Sequence, residues 1–315
     1  MENIFIIMEL NILANLKKEL EVEKGLHIIK TGIVYMKEII LMIKEKEMEN
    51  FFHNGKGYYI GEFKNGVAHG KGKSYNKKGI LLFEGDFVNN RLNGKGIQYY
   101  ENGNIRYEGD FVGSFYEGEG VYYSESGQIL YKGQFKDAKM HGKGIEYYKD
   151  GKLIYEGEYV ENKKEGNGKG YYNYTYYIDQ YKNNLRHGKG IEYYNNGNIN
   201  YEGEFVEDYA DGQGKYISKN GEYYIGQFKY DEFHGKGIHY DKDGNKIFEG
   251  DYVYNKKEGK GKYYFEDGTY EICEWKNGLE KVEAIIYDKD GYEIGGKTYV
   301  DGKVIREHGN TSDDE

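Results

Sequence analysis

The chain has 315 residues, with 47 Gly, 38 Tyr, 14 Phe, one Trp, one Cys and no Pro, and a net charge of −10. Missing proline excludes collagen and proline-rich linkers, the single Cys273 excludes an intrachain disulfide scaffold, and the aromatic content excludes disorder. A net acidic surface with interspersed charges speaks against nucleic acid as a partner.

In chain order, the apolar run Ile4–Met8 is flanked by Glu2 and Glu9, so it does not read as a secretory signal. No window approaches 18 apolar residues, so no membrane span is expected and the protein reads as cytoplasmic. Ile29, Ile33, Met36, Ile40 and Ile43 fall at helical 4-3-4-3 spacing. Residues 1–50 are therefore expected to form a segment, helical over 3–23 and 27–48, that caps the fold or pairs two chains. A competing reading makes Tyr35–Ile39 a decayed repeat, 24 residues before Tyr59.

From 51 to 280 a repeat governs the sequence. A block of aromatic, x, Gly, x, aromatic recurs as Tyr59–Phe63, Phe83–Phe87, Tyr107–Phe111, Tyr131–Phe135, Tyr155–Tyr159, Tyr201–Phe205, Tyr224–Phe228 and Phe248–Tyr252. The central residues are Gly61, Gly85, Gly109, Gly133, Gly157, Gly203, Gly226 and Gly250. Tyr177–Tyr181 keeps both aromatics around Asp179, and a worn copy ends at Trp275 with Cys273 in the glycine slot. Successive centres lie 22 to 24 residues apart, giving nine regular copies and one degraded.

Each block is followed by a second one, as in His141-Gly142-Lys143-Gly144, and then by turn signals such as Asn102-Gly103 and Asp150-Gly151. Asn-Gly and Asp-Gly favour tight turns with both residues at positive φ, so each unit reads as strand, polar loop, strand, tight turn. Residues 281–311 read as one or two capping hairpins, with turns at Asp290-Gly291 and Asp301-Gly302, and 312–315 as an acidic tail.

These blocks resemble MORN (membrane occupation and recognition nexus) repeats, whose pattern is Tyr-x-Gly-x-aromatic, a gap, and Gly-x-Gly. The expected fold is all-β: an elongated single-layer antiparallel meander of about ten hairpins. Two strands per repeat at about 4.8 Å each give roughly 95 Å over ten repeats. Glycines would leave notches for neighbouring rings. Tyrosine is expected to outnumber phenylalanine because a half-exposed ring keeps its hydroxyl wet. Proline would be excluded because nearly every strand is paired on both sides.

The ladder Tyr59, Phe63, Phe83, Phe87, Tyr107, Phe111, Tyr131, Phe135, Tyr155, Tyr159, Tyr177, Tyr181, Tyr201, Phe205, Tyr224, Phe228, Phe248, Tyr252 and Trp275 is the candidate binding surface. His69, His141, His187 and His234 occupy one slot in different repeats, two repeats apart at the nearest or about 19 Å, too far to share a metal. Gly70-Lys71-Gly72-Lys73-Ser74 lacks the first glycine of a phosphate loop, since position 67 is Val. No nucleophile–base signature is present, so neither catalysis nor a metal nor a cofactor is expected.

The resemblance implies a non-catalytic scaffold for protein partners, associated with cytoskeleton or membrane, and leaves a homodimer, phosphoinositide association, and glycan or peptide binding along the rings as further readings. Some MORN proteins carry an enzyme domain, for which about 35 residues after the repeats leave no room. The lysine pairs Lys17-Lys18, Lys163-Lys164 and Lys256-Lys257 are the best lipid candidates, each nearby Lys being worth about 1 kcal/mol.

Overall fold

The computed structural model describes residues 51–52, 57–172, 175–300 and 302–309. The expected helices at 3–23 and 27–48, the alternative repeat at 35–39 and the acidic tail lie outside them. The described residues are all β, with no helix: 23 strands from Phe51–Phe52 to Lys303–Gly309, every pairing antiparallel. They fall into two compact units divided between Leu153 and Ile154. Within each unit the chain is a meander in which each strand pairs with its sequence neighbours.

One repeat illustrates the logic. Ile105–Val112 and Phe115–Tyr123 pair with Gly109 opposite Gly120, and Gly120 in turn lies opposite Gly133 of the next repeat. Cross-strand partners share a face, so the glycines form a row running across strands. The second unit has a row of the same kind, with Asp179 opposite Gly190, Gly203 opposite Gly214, Gly226 opposite Gly237, and Cys273 opposite Ala284. Directly after the central residue, the register slips in every repeat, as between Gly109 and Asp110 or Gly157 and Glu158. This is a bulge, which bends the strand and takes backbone groups out of the regular ladder.

The turns exchange the roles expected from sequence. The two-residue turns with positive φ at both positions fall in the stretch read as a polar loop, as at Asn89-Asn90 (49° and 66°), Asn183-Asn184 (52° and 75°) and Glu207-Asp208 (50° and 74°). At Asn102-Gly103 only the glycine has positive φ (88°), Gly103 N donates to Tyr100 O (3.0 Å) and Tyr100 N to Asn104 O (2.8 Å). That is a three-residue loop closed by a glycine bulge.

The second residue of each two-residue turn also reaches the preceding repeat. Asn90 Oδ1 accepts from Ala68 N (2.8 Å), Asp208 Oδ1 from Arg186 N (2.7 Å), Asp231 Oδ1 from Ala210 N (2.7 Å) and Asn255 Oδ1 from Phe233 N (2.8 Å). Asn and Asp suit this slot twice over, because they tolerate positive φ and carry an acceptor.

Beyond the last repeat, Leu279–Tyr287, Glu293–Val300 and Lys303–Gly309 extend the meander of the second unit.

Candidate functional site: a buried aromatic ladder and the row behind it

The aromatic ladder is the core. Tyr107, Tyr155, Tyr224 and Phe248 are fully buried, and Phe87, Phe111, Tyr131, Phe135, Tyr159, Tyr181, Tyr201, Phe205, Phe228, Tyr252, Trp275 and Tyr59 nearly so. Phe63, Phe83 and Tyr177 are half-buried. In the blocks that begin at Tyr59, Tyr107, Tyr131, Tyr155, Tyr201, Tyr224 and Phe248 the first ring lies over its glycine pair: a Cβ built on Gly120 would collide with Tyr107, one on Gly144 with Tyr131, and one on Gly237 with Tyr224. The notch expected from the sequence is thus filled by the repeat's own ring.

Tyr59, Tyr107, Tyr155, Tyr201, Tyr224 and Phe248 each also meet the second aromatic of their own block and that of the next repeat edge-on. Tyr107 meets Phe111 at 5.0 Å and Phe135 at 5.2 Å; Tyr224 meets Phe228 and Tyr252, both at 5.3 Å. The edge-to-face geometry suits the ring quadrupoles, and within each unit it links repeat to repeat.

The rings are not half-exposed with wet hydroxyls, as the sequence suggests, but buried with their hydroxyls bonded to the backbone. Tyr107 Oη donates to Asp110 O (3.1 Å), Tyr131 Oη to Gln134 O (3.1 Å), Tyr201 Oη to Glu204 O (3.1 Å) and Tyr224 Oη to Gln227 O (3.1 Å). Each acceptor is the carbonyl of the residue at the register slip. Tyrosine is used because its phenol satisfies a backbone acceptor that the bulge displaces, as buried polar groups require. Burial holds these phenols protonated, pushing Tyr59 up to about 12 and the fully buried ones further.

A second position, seven residues after the central residue and opposite the second aromatic, covers the ring. Tyr116 stacks on Tyr107 (3.8 Å) and Phe233 on Tyr224 (3.9 Å). Elsewhere a cation does this: Lys164 Nζ lies 4.8 Å over Tyr155, Lys257 Nζ 4.3 Å over Phe248 and 4.1 Å over Trp275, and Arg186 4.5 Å over Phe205. Burial lowers the Lys257 pKa. Sequence reasoning missed this slot, since Leu92, Tyr116, Met140, Lys164 and Ala210 share only their offset.

Two carboxylates replace core groups. Asp179, in a glycine slot, is buried, neither of its oxygens has a hydrogen-bond partner, and Arg186 Nε is 4.0 Å away. Burial pushes its carboxyl up to about 7; Arg186 pulls it down, while Glu192 and Asp208 push it up. Glu271 holds a first-aromatic slot and accepts from Tyr299 Oη (3.0 and 3.2 Å), with Lys297 Nζ at 3.7 Å. Its carboxyl is raised by burial. Cys273 is buried beside it, its thiol pushed up to about 11 by the same desolvation, the condition of an unreactive cysteine. Among the described residues no three His, Cys, Asp or Glu side chains gather as a metal site.

The opposite face of the sheet carries the solvent-facing rows. In the second unit, the residues flanking the glycine row pair strand by strand as Glu156, Lys169, Ile178, Ile191, Glu202, Lys215, Ile225, Ile238, Glu249, Lys262, Ile272 and Ile285. The pattern Glu-Lys-Ile-Ile occurs three times, so the chemical period is two repeats, or about 19 Å. Ile178, Ile225, Ile272 and Ile285 are 47%, 42%, 38% and 41% exposed.

Beside each isoleucine pair stand two stacked tyrosines: Tyr176–Tyr193 (4.6 Å), Tyr223–Tyr240 (4.6 Å) and Tyr270–Tyr287 (5.1 Å). The lysine of each set leans over the first of them, Lys169 at 4.4 Å, Lys215 at 4.5 Å and Lys262 at 3.4 Å. An open trough of about 590 Å³ runs beside the row, walled by Ile178, Ile191, Glu202, Lys215 and Ile225 on one side and by Lys189, Glu204 and Gln213 on the other.

The MORN repeat family model matches residues 59–79, 83–105, 107–129, 131–152, 155–172, 180–199, 201–223, 224–246 and 248–270. The gap between the fifth and sixth matches contains Asp179, the departure from the pattern. No curated protein matches the chain. Among solved structures, a mutant of the TCP10 domain of Danio rerio CPAP is 14% identical, with a TM-score of 0.31 over 75% of this chain and 97% of that one. A protein of unknown function from Bacteroides caccae is 10% identical, with a TM-score of 0.15 over 81% and 94%. Neither likeness is close enough to bear on fold or function. The nine family matches cover well over half of the sequence and coincide with the ring-over-glycine repeats, and the chain belongs to the MORN-repeat family.

Proposed function

We propose that this chain is a non-catalytic scaffold that binds protein partners through the face opposite its aromatic ladder. The observation that carries this reading is the burial of the ladder rings. A ring stacked on glycine, hydrogen-bonded through its phenol and met edge-on by two neighbours has no face left for a sugar or peptide. The rows behind it have no such packing duty, and they present exposed isoleucine, glutamate and lysine in a fixed register.

Lipid association is the weaker reading on a specific observation. In both described lysine pairs the second lysine, Lys164 or Lys257, is drawn over a core ring, and Lys163 Nζ donates to Asn183 Oδ1 (2.9 Å). These side chains are engaged within the sheet rather than spread toward an anionic surface.

The test places a photo-crosslinking residue at Ile97, on the outer face of the first unit, and at Lys149 in a hairpin loop, in the full chain exposed to native extract. Discrete protein adducts from Ile97 and none from Lys149 are expected. Equal labelling at both positions, or none at Ile97 alongside salt-sensitive flotation with phosphoinositide vesicles, would reject the reading.

A further inference from the structure

We infer that the outer row of the second unit is an interface with a second copy of this chain, the two copies packing face to face about a two-fold axis parallel to the strands. A two-fold interface brings one patch against itself in reverse order. For most rows of charged residues that reversal sets like against like. Here it does not. Reversing Glu-Lys-Ile-Ile gives Ile-Ile-Lys-Glu, and sliding one copy until the isoleucine pairs coincide places every glutamate within the overlap opposite a lysine.

With the axis between Ile225 and Ile238, Ile225 of one copy faces Ile238 of the other. Lys215 then faces Glu249, and Glu202 faces Lys262. The outermost isoleucines of the row also meet, so all six are covered. A parallel arrangement in register would instead stack glutamate on glutamate, which repels. Self-complementarity of this kind is a property of the register, not of composition.

The row in the first unit provides the internal contrast. There the corresponding residues run Ile60, Lys73, Glu84, Ile97, Glu108, Val121, Lys132, Ile145. No reversal of that order matches isoleucine to isoleucine and acid to base over more than five strands.

The geometry of the strip is adequate. Sheets stack face to face about 10 Å apart, and ten strands at about 4.8 Å make a strip nearly 50 Å long. Buried along one or two side-chain rows on both copies, this amounts to on the order of 1,000–1,200 Å², the lower edge of specific interfaces. A dimer dissociating at about micromolar concentration is therefore expected. The lysines are already held over tyrosines, so little side-chain freedom is lost on pairing.

The experiment is sedimentation equilibrium of the full 36.7 kDa chain across the micromolar range. Mass rising toward twice the monomer value is expected. Ile225→Glu and Lys215→Glu should each raise the dissociation constant at least thirtyfold while thermal unfolding stays within a few degrees of the parent. Lys215→Glu combined with Glu249→Lys, which restores the opposite-charge contact, should recover dimerisation to within about threefold. A monomer at every concentration overturns the inference. So does a dimer indifferent to both single substitutions, or a loss of pairing that the double substitution fails to recover. Because the readout is the mass of the purified chain alone, its failure leaves the scaffold reading untouched.

Discussion

Two repeats of the same length solve the same packing problem with different success. Around Gly109 and Gly120, Tyr107 lies flat on the glycine pair, donates to Asp110 O and is roofed by Tyr116. Around Asp179 and Gly190 a carboxylate occupies the glycine slot, Tyr181 Oη finds no hydrogen-bond partner, and Arg186 stands with Nε 4.0 Å from the carboxylate and its guanidinium 5.0 Å over the Tyr177 ring. The comparison shows what the central glycine supplies. It is less a matter of backbone freedom than of space for a ring, and its replacement by aspartate converts a dry, satisfied contact into a buried carboxyl without hydrogen-bond partners.

The largest effect should come from removing that space in the regular repeat. Gly120→Val drives a branched side chain into the Tyr107 ring, and a loss of about 3 kcal/mol or more is expected from urea unfolding. Next, the departing repeat should be repairable. An aspartate titrates near 3.9 when unfolded, and Asp179 is held up to about 7 in the fold. Between those values the folded chain keeps a proton that the unfolded chain lacks. The contribution of Asp179 to stability is therefore full below about pH 4 and is lost as pH rises through about 7. Asp179→Gly should remove this slope and stabilise the chain by roughly 2 kcal/mol at pH 7.5, measured by unfolding at several pH values.

Smaller effects test individual bonds. Tyr107→Phe deletes the phenol but keeps the ring, so about 1–2 kcal/mol should be lost from the uncovered carbonyl. At Ala138, φ is 60° and no side-chain acceptor is present, unlike the Asn or Asp of the equivalent turns. Ala138→Asn should add the missing bond to the preceding repeat and gain about 1 kcal/mol, visible as a rise of a few degrees in Tm.

Much of this was legible in the sequence, and the reasons differ by residue. The glycine row, the strand pairs and the departures at Asp179 and Cys273 follow from period and side-chain size. The tyrosine hydroxyl was misjudged because its acceptor is created by a bulge, which no single-repeat pattern announces. The turns were exchanged because Asn-Gly signals a turn without fixing its length, whereas Asn183-Asn184 and Glu207-Asp208 lack glycine yet take positive φ at both positions. The covering slot was invisible because a leucine, a tyrosine, a lysine or an arginine can each roof a ring. The Glu-Lys-Ile-Ile row could have been found from the sequence, had residues adjoining the glycines been compared across alternate repeats.

Hydroxyl-radical footprinting of the folded full chain, read by mass spectrometry for each tyrosine, tests the central claim most directly. With the ladder as core, Tyr107, Tyr155 and Tyr224, all 0% exposed, should oxidise at least tenfold more slowly than Tyr172, Tyr230 and Tyr292, at 60%, 58% and 71%. Comparable rates in the two groups would mean that the rings lie open on a binding surface, and would contradict the account.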